Sequence, residues 1–134
     1  SRRGATRSRV NLREVEDQAA KHGFGEFQEA RFPRRELGAE QTGFGHIVVK
    51  PGRRQPFSHR HGTVEEFYVV LSGSGVLKLD DELVELSPMD VVRIGPGVAH
   101  GMEAGPDGLE VLAFGPLGDG DAEMVEGLWE DPEG

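Results

Sequence analysis

The chain is predicted to be all-β, a sandwich or barrel of many short strands, and three observations predict it. First, 20 Gly and 8 Pro make 28 of the 134 residues, an abundance of turn-forming chemistry. Second, short apolar segments recur from about Gly43 to Gly115, each closed by a cluster of Gly, Pro, Asp or Ser. Third, several segments, notably Phe67-Tyr68-Val69-Val70-Leu71, are apolar at both parities, as in a strand covered on both faces. One domain's worth of chain is present, long enough to bury a core without disulfides or a structural metal.

The elements follow in order. Residues 1–42 form an arm whose one helix candidate runs from Asn11 to Lys21. Asn11 is its N-cap, Leu12, Val15 and Ala19 share one face, and His22-Gly23 closes it. The arm also has room to add strands to the domain. Residues 43–115 carry the apolar segments Ile47–Val49, Phe67–Leu71, Val76-Leu77, Leu83–Leu86, Val91–Ile94 and Leu109–Phe114. Between them stand Pro51-Gly52, Ser72-Gly73-Ser74-Gly75, Asp80-Asp81, Pro88, Gly95-Pro96-Gly97 and Gly105-Pro106-Asp107-Gly108, read as turns. Residues 116–134 form an acidic tail with seven Asp or Glu from Gly118 onward and no Lys or Arg. Met124, Val125, Leu128 and Trp129 make an apolar stripe there, a second helix candidate ending before Pro132, with Trp129 packing on the domain.

Composition excludes several functions. A net charge of −9 repels phosphate, which argues against nucleic-acid or anionic-membrane binding. The absence of Cys removes thiolate catalysis, thiolate metal sites and disulfides. No apolar run approaches the roughly 20 residues that span a bilayer. Arg2 and Arg3 are not followed by the apolar stretch of an export signal, so a cytoplasmic protein is expected. Arg2, Arg3, Arg7 and Arg9 make the first residues basic, a solvated end or one that docks on an acidic surface.

The chemistry lies in the histidines. His59-Arg60-His61 opens a strand, and the period of two places both imidazoles on one face, roughly 7 Å apart. Glu66 heads the next apolar strand and His100 follows the turn at Gly95–Gly97. Three imidazoles and one carboxylate suit a divalent transition ion (Mn, Fe, Co, Ni, Cu or Zn) and suit Ca or Mg poorly. The spacing His-x-His-x4-Glu should arise by accident only about 0.02 times in a chain of this composition.

The stretch from Gly52 through His59, His61 and Glu66 to Gly73 resembles the first motif of the cupin superfamily: Gly, a spacer, His-x-His, a short spacer, Glu, six residues, Gly. Met89 to His100, after fifteen intervening residues, resembles the second motif. The resemblance implies a double-stranded β-helix, or jelly-roll barrel, in a compact metal-binding cupin. It also implies that His59, His61, Glu66 and His100 are the metal ligands. The chain departs from the pattern where the first spacer is one residue longer, and where Met89, Gly95 and Ala104 stand for Gly, Pro and Asn. None of these is a ligand position.

Four protein ligands leave open coordination positions, as a substrate or water requires. Phe57, Tyr68, Val70 and Met102 share the inward parity and are expected to line the pocket, with Phe44, His46 and Val48 from an adjacent strand. His46 and Tyr68 are the candidate catalytic groups, each with a packing role as the alternative. A metal-dependent enzyme on a small molecule, dioxygenase-like or isomerase- or epimerase-like, is expected; the alternative is a non-catalytic binding or sensing module. Cupins commonly pair through such two-sided apolar sheets, so a homodimer is expected as well.

Overall fold

A computed structural model describes residues 7–118 and 120–130. Arg2, Arg3 and Pro132 lie outside the described residues. The arm's expected single helix is divided in two. A 3-10 turn spans Leu12–Glu14, capped by the Asn11 side chain, and helix α1 spans Gln18–Lys21, capped by Asp17. Asp17 also accepts from the Ala30 amide at 2.9 Å, so an extended residue is required exactly where a continuous helix would pass. Strand β1 (Gln28–Arg31) and helix α2 (Arg34–Leu37) complete the arm.

Six strands build the barrel: β2 (Thr42–Val49), β3 (Ser58–His61), β4 (Glu66–Leu79), β5 (Glu82–Leu86), β6 (Val91–Ile94) and β7 (His100–Pro116). Strand β8 (Ala122–Val125) follows. The sheet runs β1-β2-β7-β3-β8, and β4 pairs along the other side of β7 and with β5 and β6. All pairings are antiparallel. The sheet curls around one core in which Val49, Val70, Leu77, Met102 and Val111 are fully buried.

Two segments read as turns are bends within strands. Ser72–Gly75 lies inside β4 and Gly105–Gly108 inside β7, with two register shifts between the partners. Glycine permits this: Gly73 has φ +82° and lies against the Gly108 carbonyl, leaving no room for a Cβ. Each strand thereby turns the corner of the barrel and pairs on both sides of it. The Asp80-Asp81 turn is as expected, a two-residue hairpin between Leu79 and Glu82.

The tail's expected helix is instead β8. It pairs with β3 from Ser58↔Val125 to His61↔Ala122. Because β3 meets β7 only at His59↔His100, its other edge needs backbone partners, and β8 supplies them. Trp129 does pack on the domain, close to Gly101, with the Arg54 guanidinium 4.3 Å above its ring. Among the described residues no helix is long and apolar enough to cross a membrane.

Candidate metal centre

Strands β3, β4 and β7 deliver the four expected ligands to one end of the barrel. His59 and His61 project inward from β3, with ring centroids 5.4 Å apart. The His59 and His100 rings are 4.3 Å apart, edge to face. Glu66 heads β4 and reaches both remaining imidazoles: Oε2 is 3.2 Å from His61 Nε2 and Oε1 is 3.4 Å from His100 Nε2. Potential ligand atoms of His59, Glu66 and His100 all lie within 4.8 Å of one another. His61 lies outside this set and touches it only at the second oxygen of Glu66, 3.2 Å from Nε2.

Electrostatics prepare this cluster for a cation. Burial, helped by the neighbouring His100 and His61 and opposed by Glu66, lowers the His59 imidazole to about 4, so it is neutral at pH 7. Burial alone would raise the Glu66 carboxyl, but the neighbouring imidazoles, His100 first and then His61 and His59, outweigh it and lower it below its ordinary value. His100 Nδ1 donates to the Val98 carbonyl at 3.0 Å, which leaves Nε2 bare toward the cluster. Glu66 Oε1 and His100 Nε2 are buried without a hydrogen-bond partner. Buried polar atoms left unpartnered cost about 1–3 kcal/mol each, and a cation between them would satisfy both. The donor set fits a divalent transition ion.

The adjacent carboxylates separate by face. Glu65 points outward and accepts from Arg93 Nε at 2.6 Å, whereas Glu66 points inward. Tyr68 also points inward, 1% exposed, edge-on to His100 at 5.7 Å. Burial, together with the Glu66 charge, pushes its phenol well above the usual range, so it stays protonated. Val70 and Met102 face inward but are packed core rather than pocket wall.

Three further expectations are corrected. In β2 the buried positions are Gly45, Ile47 and Val49, so His46 and Val48 lie on the outer face, whereas Phe44, at the same parity but nearer the strand's start, does line the mouth. Both faces of β2 are apolar, so hydrophobicity could not set its parity; the small residues Gly43 and Gly45 mark the inward side. His46 bonds Glu110 at 2.7 Å, and Glu110 also accepts from Ser72 at 2.9 Å, so the sheet separates His46 from the cluster. Phe57 is 39% exposed and packs edge-on against Phe24 at 4.5 Å, away from the mouth.

The mouth is a cleft of about 220 Å³ that reaches His61 and Glu66. Gly43, Gly45 and Gly115 form its floor, with Phe32 and Leu117 beside them. An ideal Cβ on Gly45 would stand 2.8 Å from Phe32 Cε1, so the aromatic ring fits only over glycine. Among the described residues no Lys or Arg lines this cleft. Arg54 is paired with Glu103 at 2.7 Å, Arg60 faces Glu123 at 3.5 Å, and Arg53 lies over the Phe27 ring. Phe32 and Asp121, which meets the loop after His61, escaped the sequence reading because both are far from the motifs in the chain.

A family model described as the Cupin domain matches residues 45–114. An uncharacterized protein of Methanocaldococcus jannaschii is 35% identical over 82 residues, 59% of this chain; the match spans 66% of that relative's length. Among solved structures, the nucleoside dehydratase Pac13 superposes with TM-score 0.71 at 19% identity, covering 95% of this chain and 99% of that one. The polyketide cyclase RemF from Streptomyces resistomycificus gives 0.66 at 24%, covering 81% and 78%. A sugar phosphate isomerase from Silicibacter pomeroyi gives 0.66 at 20%, covering 82% and 76%. At these identities the structural likeness speaks for the fold.

Proposed function

This chain belongs to the cupin-domain family, and from that premise we propose a metal-dependent enzyme acting on a small, uncharged, largely apolar molecule at the barrel mouth. One observation carries the reading: His59, His100 and Glu66 converge, with His61 beside Glu66 and with unpartnered buried atoms, beneath an apolar cleft that no Lys or Arg among the described residues lines. His59, His61, Glu66 and His100 would hold one divalent ion of the Mn-to-Zn series. When bound, that ion supplies Lewis acidity toward a substrate oxygen or, if Fe or Cu, a site for O₂.

The chain's own residues do the rest. The Val98 carbonyl fixes the His100 tautomer, and burial keeps His59 unprotonated. Tyr68, protonated and beside Glu66, acts as a hydrogen-bond donor rather than as a base. Phe32 closes over Gly45 and Leu117 over Gly43, so the cleft beside them presents apolar side chains to a substrate. Among the described residues no Lys or Arg lines this mouth to clamp a phosphate, and the Glu66 carboxylate would repel one, which disfavours sugar-phosphate chemistry. Of the oxygenase-like and isomerase-like alternatives, the lining favours an oxygenase of small phenolic or dicarbonyl compounds.

The test is metal analysis of the purified protein, then turnover of such compounds with Fe(II), Mn(II) or Zn(II), alongside phosphorylated analogues. Chelator-sensitive turnover of the neutral compounds is expected. Tight binding without turnover would make the protein a binding module, and preference for the phosphorylated analogues would overturn the substrate class.

A further inference from the structure

The His61–Glu66 loop joins two expected ligands, and it is held by a residue outside the matched family region. Asp121 precedes β8. Its carboxylate accepts from the amides of Gly62 at 3.0 Å, Thr63 at 3.0 Å and Val64 at 3.4 Å. It also accepts from the Thr63 hydroxyl at 3.1 Å, and the Gly62 amide lies 3.3 Å from the Asp121 carbonyl. Three successive amides around one carboxylate form a compact anion-holding nest, and here the anion comes from the tail. Gly62 makes this approach possible, since a Cβ there would stand 3.0 Å from Asp121 Oδ1.

The same carboxylate faces His61. Oδ2 lies 3.7 Å from His61 Nδ1, while Nε2 on the other side of the ring meets Glu66 at 3.2 Å. Nδ1 is buried and has no hydrogen-bond partner. An imidazole that presents bare Nε2 to a cation must carry its proton on Nδ1, and that proton needs an acceptor. Asp121 Oδ2 is already aimed at it, and a displacement of well under an ångström would close the bond. Metal-bound histidines commonly donate their second N–H to such a carboxylate, and losing it typically costs 10–100-fold in affinity.

We infer that Asp121 is the positioning residue of the metal centre: it orients His61 through Nδ1 and holds the His61–Glu66 loop, making the β8 segment part of the site. This rests on the metal-binding reading above. It adds that the barrel of the matched family region alone, without the tail, is an incomplete site. Docking of β8 and metal occupancy therefore strengthen each other, as linkage requires.

The experiment compares Zn(II) and Mn(II) affinity, by chelator competition, in the full chain and in Asp121→Asn, His61→Ala and the double variant. Asp121→Asn keeps the shape and part of the amide nest but turns an NH₂ or a neutral oxygen toward Nδ1. It should weaken metal binding about 10–100-fold, and should add little to the loss in His61→Ala, because the two residues act together. In the Zn(II)-loaded protein a slowly exchanging imidazole N–H resonance of His61 should be present in the parent and absent in Asp121→Asn. Unchanged affinity in Asp121→Asn, or fully additive losses, would overturn the inference while leaving the metal reading intact. Failure of the parent chain to bind metal would overturn both. Hydrogen exchange at Gly62, Thr63 and Val64, slowed by metal in the parent, tests the loop directly; equal exchange with and without metal counts against the linkage.

Discussion

At the scale of single residues, neighbouring carboxylates have opposite fates because a strand alternates its side chains. Glu66→Gln replaces an inward carboxylate with a weakly coordinating amide and should reduce metal affinity tenfold or more. Glu65→Gln removes an exposed partner of Arg93 and should leave affinity nearly unchanged. Chelator competition on the two variants checks this, and equal losses would mean that only bulk charge matters. His59 makes the metal-free protein acid-sensitive. Its folded-state value near 4 lies below the ordinary 6.5, so between those values the unfolded chain takes up a proton that the folded one refuses. Stability should therefore fall as pH drops through this window, at up to about 1.4 kcal/mol per pH unit for one proton. Protonation of Glu66, whose folded value is also lowered, acts in the same direction at still lower pH. Urea midpoints at pH 7 and pH 5 measure the slope; His59→Gln should flatten it. Met89 stands where the family motif has glycine, and its backbone shows why: φ is +77° and the side chain is 81% exposed. Met89→Gly should relieve left-handed strain of roughly 1 kcal/mol, partly offset by the freer unfolded chain, and raise the melting midpoint slightly.

At the scale of elements, β2 divides two functions between its faces. Its inward face is glycine near the mouth and Ile47 and Val49 deeper in, so it opens the cleft and then closes the core. Gly45→Val would push the Phe32 ring off β2 and reshape the cleft. The KM for a substrate found in the screen should rise about tenfold or more, with metal affinity unchanged. A matched loss of metal affinity would mean the cleft and the ligand cluster are not separable. Strand β8 shows how an element can be chosen by its neighbour. Met124 and Val125, half of the expected helical stripe, extend with Ala122 and Glu123 because β3 presents an unpaired edge, and Glu123 falls opposite Arg60 in the resulting register.

At the scale of the whole molecule, the outer face of β2, β7, β4 and β6 carries an apolar patch bordered by the His46–Glu110 and Glu65–Arg93 pairs. Phe44, Phe114 and Phe67 stand in one row across three strands, with the Phe67 and Phe114 rings stacked at 5.7 Å. Leu112 and Val69 stand in the next row, while Leu71 and Val91 are 41% and 61% exposed. Such an apolar patch calls for a cover, and we propose a second copy of this chain. Light scattering should give a dimer at micromolar concentration, and Leu112→Arg should convert it to a monomer that still binds metal. A monomeric parent would sink the proposal.

How much was legible follows from which signals are local. Strand periodicity, turn residues and the His-x-His spacing are properties of short windows, so the all-β class, the ligands on β3 and the inward parity of Glu66 and Tyr68 could all be read in the chain. The bends at Ser72–Gly75 and Gly105–Gly108 could not, because a glycine-rich run ends a strand or curves it according to what pairs alongside. The parity of β2 was likewise undetermined, since both its faces are apolar and only the curl of the sheet decides which is inside. Asp121 and Phe32 reach the mouth from opposite ends of the chain, across contacts that no local window contains. Residue chemistry and spacing determined what the site is made of; closure of the barrel, which exchanges chain entropy for buried surface over the whole sheet, decided what surrounds it.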